Sequence, residues 1–384
     1  MVLPLPRPVR VQPFFGYRSR DRLVLGARAV RSRAPAFEWG SRLRAVRTVL
    51  AQFAPREKAG LAIRLEIRND ERVLIAHELV TDDEGYVLFD LPLAPRWDLP
   101  EHPEWEVATL SWDNRDGPQR VDAQLLVPGT DSDLAVISDI DDTIIETGIT
   151  GGLGSVFRNW RRIFAQLPHE RIAVAGADLF YGELGGGTTH HPPDAKRPAR
   201  SILATRRPFF YVSSSPWNLF SYLVAFQRSK GLPLGPLLLR QWGLDKRTLG
   251  KASHGAHKRL AIDAILGMYP ALRFALIGDD TQGDLPAFAE VVAAYPGRIA
   301  AVFLRTVSDQ SFTAEEEAAL VALKASGVPL WLGDSYAVGA AFLHTLGFTP
   351  GGETEQIVRA VEGAGRDTAA EPVRENAPHG PPAA

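Results

Sequence analysis

A chain of 384 residues is long enough for two or three domains, each with a sizeable core. Its 43 basic and 45 acidic residues give a formal net charge of −2, which argues against a general nucleic-acid binder, for which a strongly basic domain would be expected. The absence of cysteine excludes disulfides and thiolate metal sites. The first residues have no apolar core of signal-peptide length, and no apolar run reaches the ~18 residues of a spanning helix, so we expect a cytoplasmic protein.

The first third of the chain has the alternation typical of β-strands. Leu61, Ile63, Leu65 and Ile67 alternate with more polar residues, which indicates half-buried antiparallel strands. Turn signals about ten residues apart favour a small β-sandwich-like domain over residues 14–128. Helical spacing of apolar residues predicts one inserted helix over Ser41–Phe53. The predicted strands are Arg22–Val30, Leu61–Arg68, Arg72–Leu79, Gly85–Leu91, Trp105–Trp112 and Arg120–Val127.

A linker, Pro128–Asp133, separates this region from a different pattern. Strand-like and helix-like segments now alternate, which predicts a parallel α/β sheet in a domain of residues 133–350. Residues 363–384, rich in Ala, Pro and Glu, are expected to be disordered. The predicted strands are Leu134–Ser138, Phe209–Ser213, Leu237–Arg240, Phe274–Gly278, Ala300–Arg305 and Pro329–Leu332, and the helices between them include Pro216–Lys230, Ala256–Met268 and Ala314–Ala325.

The first strand of this region runs directly into three carboxylates. Asp139 and Asp141 are two residues apart, so an extended chain would direct both to the same side. Like charges held so close are costly unless a cation or a proton is shared between them. In open α/β sheets, ligands bind outside the carboxyl ends of the strands. The stretch therefore predicts a metal site or acid/base chemistry.

Three further polar clusters follow in the chain, two of them at strand ends. A serine run after the second strand and before a helix offers hydroxyl and N–H groups that bind phosphate well. A lysine lies near the start of a later helix, and a second acidic cluster ends another strand. Together they predict a site for Mg²⁺ and a phosphoryl group, because Mg²⁺ takes a few carboxylates together with water and phosphate. These clusters contain Ser213 and Ser214, then Lys258, then Asp279, Asp280 and Asp284.

The order of these motifs resembles the haloacid dehalogenase (HAD) phosphohydrolase superfamily. Three longer phrases, Val136–Gly148, Phe210–Leu219 and Gly235–Gly243, resemble the actin-patch-associated phosphatidate phosphatase family, which is related to the lipin catalytic domain. The resemblance covers about residues 14–350 and implies a HAD-like Rossmannoid parallel sheet with a small cap insertion at about 148–175. Residues 186–207 depart from the family phrase, because they form a longer segment richer in proline and histidine.

The resemblance implies a role for each motif residue. Asp139 matches the nucleophile and a Mg²⁺ ligand, Asp141 matches the general acid/base whose carbonyl also binds Mg²⁺, and Thr143 matches the residue that orients Asp141. Ser213 and Lys258 match the groups that hold the phosphate, with Ser214 beside them. Asp279 matches the remaining Mg²⁺ carboxylate, supported by Asp284 or Asp280.

A helical pattern over Ser155–Leu167 lies in the implied cap. Its aromatic and aliphatic face, with Arg158 and Arg161 beside it, suits either packing on the α/β core or contact with a membrane surface and an anionic headgroup. Packing is the more ordinary explanation. We assign Arg158 and Arg161 as candidate substrate-binding residues and peripheral membrane contact as a candidate interaction.

The sequence thus predicts a Mg²⁺-dependent phosphatase that uses an aspartyl-phosphate intermediate. The family resemblance implies phosphatidate as the substrate and diacylglycerol and phosphate as the products. Two alternatives stay open. One is the same chemistry on a soluble phosphomonoester or a phosphoprotein. The other is a lipid-binding module without turnover, which the intact set of acids and lysine disfavours.

Overall fold

The computed structural model describes residues 8–31, 57–69, 72–140, 174, 176–187, 204–240, 254–280, 283–307 and 311–336. Within these ranges the chain forms an antiparallel-rich sheet followed by a parallel sheet flanked by helices. Several predictions fall outside the described ranges: the helix over Ser41–Phe53, the cap at 148–175 apart from Val174, and the tail.

The described residues of the N-terminal region form a sheet of eight strands. Seven of the strands pair in the order β1-β3-β2-β8-β7-β4-β5, and the eighth, β6, pairs with β3 outside this order. All pairs are antiparallel except β2 with β8. The strands are β1 (Arg10–Pro13), β2 (Gly16–Arg18), β3 (Arg22–Val30), β4 (Ala62–Asn69), β5 (Arg72–Val80), β6 (Tyr86–Pro92), β7 (Glu104–Asn114) and β8 (Gly117–Val127).

Period-two burial explains this sheet. In β3, Leu23, Leu25, Ala27 and Ala29 are buried while their neighbours are partly exposed. The same alternation in β4, β6 and β7 places their apolar residues in one shared core with β3. All six strands predicted from the sequence in this region are confirmed; Arg22–Val30 has the predicted bounds, and the ends of the other five differ by at most three residues. They belong to one hydrogen-bonded sheet, and the sandwich-like arrangement stays a prediction.

The second sheet is entirely parallel, as the sequence predicts. Its strands follow the order β11-β10-β9-β12-β13-β14. They are β9 (Leu134–Asp139), β10 (Phe209–Pro216), β11 (Leu237–Arg240), β12 (Arg273–Asp279), β13 (Ile299–Arg305) and β14 (Leu330–Gly333). The helices are α1 (Ala177–Gly185), α2 (Phe220–Ser229), α3 (His254–Met268), α4 (Asp284–Ala294) and α5 (Ala314–Ala325).

The strand order makes β9 the centre of the sheet. Every residue of β9 is buried, because helices or other chain segments cover both of its faces. β10 and β11 follow β9 in the chain and lie on one side of it, whereas β12, β13 and β14 lie on its other side. This reversal creates a topological switch point, and the crevice outside the carboxyl ends of β9 and β12 is where doubly wound sheets bind ligands.

Two helices show how local sequence sets the boundaries. α5 has the predicted bounds because Thr313 and Glu316 form a reciprocal capping box. The predicted helix Pro216–Lys230 begins late, since Pro216 ends β10 and a 3₁₀ turn, Trp217–Leu219, precedes α2. Pro216 has no backbone N–H to donate to a neighbouring strand, so it suits a position where the regular strand pairing ends. Helices α1 and α4 were not named individually from the sequence.

The two sheets pack against each other through aromatic side chains. Phe14 and Tyr86 share a core cluster with β9 and α2, and Tyr17 and Trp105 share a second cluster with α3. The N-terminal sheet therefore lies directly against the α/β part. No described helix is both long enough and apolar enough to cross a lipid bilayer.

Candidate functional site

Three carboxylates meet at the switch point. Asp139 ends β9, Asp279 ends the adjacent strand β12, and Asp284 begins α4. One carboxylate oxygen from each lies within 4.8 Å of the others, and all three side chains are buried. The parallel register, which pairs Ile277 with Ser138, explains why the two strand-end acids are neighbours. The structure thus brings together acids that are 140 residues apart in the chain.

Lys258 connects two of these acids. Its Nζ lies 3.0 Å from Asp139 Oδ1 and 2.5 Å from Asp284 Oδ1, and the side chain is 1% exposed. Burial by itself would lower the pKa of Lys258, but the negative charges of Asp139, Asp284 and Asp279 outweigh it and raise that pKa above its ordinary value of 10.5. The lysine therefore carries a fixed positive charge at neutral pH.

The start of α4 determines where Asp284 points. Gly283 adopts φ 78°, a left-handed conformation that favours glycine, and the helix begins at the next residue. Asp284 Oδ2 accepts a hydrogen bond of 3.0 Å from the backbone N–H of Asp279. Gly278 leaves room for this contact, since a Cβ there would lie 2.6 Å from Asp284 Oδ2. The backbone of β12 and the carboxylate of α4 are therefore tightly fitted together.

Asp280 faces a different way. Its Oδ1 accepts a hydrogen bond of 2.8 Å from the backbone N–H of Val307, and its own N–H donates to the carbonyl of Arg305. It is not part of the carboxylate cluster found among the described residues. Of the two acids that the sequence offered as support for Asp279, the geometry thus favours Asp284 and gives Asp280 a role in holding the chain after β13.

The predicted serines lie on the neighbouring strand. Val212 pairs with Asp139 in the sheet, so Ser213 is one residue beyond the level of the strand-end acid. Ser213 is fully buried, and its Oγ accepts a hydrogen bond of 2.9 Å from the N–H of Ser215. Ser214 is half-buried. The serine run therefore borders the carboxylate cluster from the β10 side.

Two hydroxyl groups that were not predicted from the sequence support the backbone of Asp139. The Ser138 hydroxyl donates to the Asp139 carbonyl at 2.6 Å and lies 2.7 Å from the Tyr181 hydroxyl. Tyr181, in α1, is fully buried, which raises the pKa of its phenol. In the sequence, Tyr181 is one of several residues on the buried face of α1. Nothing in that pattern distinguishes it from its neighbours as a residue that supports the site.

Four predicted site residues lie outside the described ranges. They are Asp141, Thr143, Arg158 and Arg161. Their predicted roles stay predictions.

The charges of the cluster suit a hard cation. Three buried carboxylates face one ammonium group, so the described part of the cluster carries an excess of negative charge in a low-dielectric environment. Buried charge of one sign is costly unless it is compensated. Carboxylate oxygens are the donors that Mg²⁺ prefers, and it commonly uses only one or two of them besides water and phosphate. The residues present therefore fit Mg²⁺.

The strand order and this cluster define a doubly wound α/β domain whose switch-point site suits a hard cation and an anionic group. Residues 134–306 match the model of the family described as "Phosphatidate phosphatase APP1, catalytic domain". The α/β part of the chain is therefore similar to that family, which confirms the resemblance inferred from the motifs.

Two fungal proteins show the same similarity. The chain is 31% identical over 176 residues to "Phosphatidate phosphatase APP1" of Saccharomyces cerevisiae, an alignment that covers 46% of this chain and 26% of the yeast protein. It is 25% identical over 242 residues to "Uncharacterized protein C29B5.04c" of Schizosaccharomyces pombe, covering 62% and 36% of the two chains. The chain thus spans about a quarter to a third of the length of these relatives.

Among solved structures, a crystal structure of Parabacteroides merdae β-glucuronidase is similar over 77% of this chain and 34% of its own. The sequence identity is 8% and the TM-score is 0.23, values too low to indicate a shared fold.

Proposed function

We propose that the chain is a Mg²⁺-dependent phosphatase of the HAD type that hydrolyses phosphatidate to diacylglycerol and phosphate. The observation that carries the proposal is the buried Lys258, which contacts both Asp139 and Asp284 at the carboxyl end of a parallel sheet. That site lies within the residues that match the phosphatidate phosphatase family. A scaffold that only binds lipid would have no need for such a buried ionic cluster, which is costly to maintain.

Asp139 is the proposed nucleophile. A carboxylate oxygen of Asp139 attacks the phosphorus, and the bond from phosphorus to the leaving oxygen breaks as the aspartyl-phosphate forms. Lys258 and the backbone N–H groups near Ser213 would hold the negative charge of the phosphoryl oxygens in place. The hydrogen bond from Ser138 to the Asp139 carbonyl supports this role, because it fixes the backbone of the attacking residue.

Asp141 is the proposed proton carrier, a role that rests on the family resemblance. It gives its proton to the leaving alkoxide in the first step. In the second step it takes a proton from water, which attacks the phosphorus, and the bond between phosphorus and Asp139 breaks to release phosphate. Thr143 would orient Asp141 between these steps.

Asp139, Asp279 and Asp284 are the residues proposed to act around the cation, with the first two as its carboxylate ligands. When bound, Mg²⁺ would neutralise charge on the transferring phosphoryl group. Asp284, which contacts Lys258 and accepts from the Asp279 N–H, would hold both residues in position.

Phosphatidate is the proposed substrate because the matching family model and the yeast relative both carry that activity in their descriptions. The test compares phosphate release from phosphatidate in detergent micelles with release from a sugar phosphate, a nucleoside monophosphate, a phosphopeptide and p-nitrophenyl phosphate. Each substrate is measured with Mg²⁺ and with excess EDTA.

We expect Mg²⁺-dependent release that is fastest with phosphatidate, and Asp139→Asn serves as the inactive control. Faster release from a soluble phosphate would contradict the lipid substrate and leave the chemistry standing. Equal release in EDTA would contradict the role of the cation. No release from any substrate, while the protein is folded, would refute the proposed function.

A further inference from the structure

The N-terminal sheet contacts the α/β part at the end of β10. Phe14 stacks on Trp217 with ring centroids 4.2 Å apart and also contacts Phe220 at 5.0 Å. Trp217 immediately follows Pro216, the last residue of the strand that carries the serine run. The first aromatic residues of the chain are therefore packed against the segment that leaves the candidate site.

A polar contact accompanies this packing. Arg28, in β3, donates a short hydrogen bond from Nη1 to Asn218 Oδ1. The hydroxyl of Tyr86, in β6, donates to the same oxygen at 3.3 Å. Because two donors converge on one atom, that atom of Asn218 must be the amide oxygen. Asn218 is thus held from the N-terminal sheet by two side chains.

Arg28 is itself held in place. Its Nη2 forms an ion pair of 2.8 Å with Glu57 Oε1, and its Nε donates to the Glu84 carbonyl at 3.3 Å. Its guanidinium carbon lies 4.6 Å from the centre of the Tyr86 ring, a cation–π contact. Since the side chain is only 11% exposed, the group is preorganised to hold Asn218.

The serine run lies where the pairing of β10 with β11 becomes irregular. The β10–β11 ladder proceeds regularly from Tyr211 to Ser213, then shifts register before the next pair, Pro216 with Arg240. Ser214 and Ser215 thus lie in an irregularity of the ladder, where regular pairing does not fix the backbone. The N–H of Ser215 donates to Ser213 Oγ, and the segment that follows this irregularity, from Trp217, continues directly into the contacts with the N-terminal sheet.

We propose that the N-terminal sheet positions the serine run of the phosphate site through Arg28, which holds Asn218 five residues after Ser213. This inference rests on the proposed function, because it takes the group bound at the serine run to be a phosphoryl group. Arg28 and Tyr86 are positioning residues. They touch neither substrate nor the reacting atoms, and they lie outside the residues that match the catalytic family.

The test measures the dissociation constant of orthovanadate, a phosphate analogue, for the full chain in Mg²⁺ by calorimetry. KM and kcat for p-nitrophenyl phosphate and the melting temperature are measured alongside. The variants are Arg28→Gln, Asn218→Ala and the double variant. Arg22→Gln is the matched control, because Arg22 lies on the same strand and forms an exposed bidentate ion pair of 2.6 Å with Asp90, away from Asn218.

We expect Arg28→Gln and Asn218→Ala each to weaken orthovanadate binding about tenfold, or ~1.4 kcal/mol, and to raise KM. The double variant should bind no more weakly than either single variant, because both changes remove the same contact. Arg22→Gln should stay within twofold of wild type. An affinity within twofold of wild type in Arg28→Gln, whatever its melting temperature, would overturn the proposal, since the contact would then be structural only.

Tyr86→Phe keeps the test decisive if Arg28→Gln does not fold, because it removes one hydroxyl and little volume. We expect it to weaken orthovanadate binding about two- to threefold, in keeping with a long, neutral hydrogen bond, and unchanged binding would count against the proposal. A folded wild-type chain that neither binds orthovanadate nor releases phosphate would overturn the proposed function along with this inference. Normal wild-type binding with unaffected variants would overturn the inference alone.

Discussion

Replacing Gly278 by alanine would perturb the site through a single methyl group. A Cβ at position 278 would lie 2.6 Å from Asp284 Oδ2 and 2.8 Å from both Cβ and Cγ of Asp284. Ordinary contacts at such a carbon are 3.4–4 Å. Asp284 would therefore have to move by about 0.8 Å, away from the N–H of Asp279 that it accepts from and away from Lys258.

Two effects set the size of the loss. Forcing one methyl group into a packed site costs about 1–3 kcal/mol. Weakening a buried hydrogen bond to a charged carboxylate adds about 1.5–3 kcal/mol. We expect Gly278→Ala to lower the free energy of unfolding by about 3–5 kcal/mol, a fall in melting temperature on the order of 10 °C. Displacing a site group by nearly 1 Å should also reduce kcat by about 100-fold.

The assay combines thermal unfolding with Mg²⁺-dependent phosphate release. Gly182→Ala is the control, since Gly182 lies in the middle of α1 and a Cβ there would meet nothing within 4 Å. Alanine is the better helix former, so this control should gain about 0.5–1 kcal/mol of stability and keep full activity. In an Asp284→Gly background the Gly278→Ala change should lose most of its cost, because the clashing atoms are gone.

A wild-type melting temperature together with full activity in Gly278→Ala would refute the reasoning. It would mean that the close fit between β12 and Asp284 is not what holds the carboxylate. A destabilisation that is equally large in the Asp284→Gly background would also contradict it, because the clash would then lie elsewhere.

Three further predictions concern the cluster and one helix end. Asp139→Asn should abolish phosphate release while the protein still unfolds cooperatively; retained turnover would contradict the nucleophile assignment. Lys258→Met should cost about 3–5 kcal/mol, measured by denaturant unfolding, because it leaves buried carboxylates uncompensated; an unchanged free energy of unfolding would show that the lysine does not compensate them. In the wild type, the raised pKa of Lys258 means that its contribution is fully present below pH 10.5 and is lost only as the pH rises through the folded-state pKa, so titration of Lys258 should not affect stability near neutral pH. Thr313→Ala removes the capping box of α5 and should cost about 1 kcal/mol without changing activity, whereas an unchanged melting temperature would show that the cap contributes nothing.

The position of Asp284 shows what the sequence could not decide. Asp280 and Asp284 both follow β12, and either could support Asp279 by its residue type and spacing. The choice depends on where α4 begins and on the left-handed conformation of Gly283, which turn Asp284 back toward Asp279 and Lys258. Asp280 instead accepts from Val307, on the segment after a different strand. Such a contact depends on packing between distant parts of the chain.

By itself, the sequence determined the features that repeat locally. Period-two alternation indicated the strands of the N-terminal sheet, continuous apolar runs indicated the buried parallel strands, and the order of polar strand ends identified the family resemblance. These signals are local because side-chain burial follows the geometry of each element. The tertiary structure decided the strand order, the contact of Lys258 with both Asp139 and Asp284, and the contact of Arg28 with Asn218. Each of those joins residues that are far apart in the chain, and only the packing of complete elements brings them together.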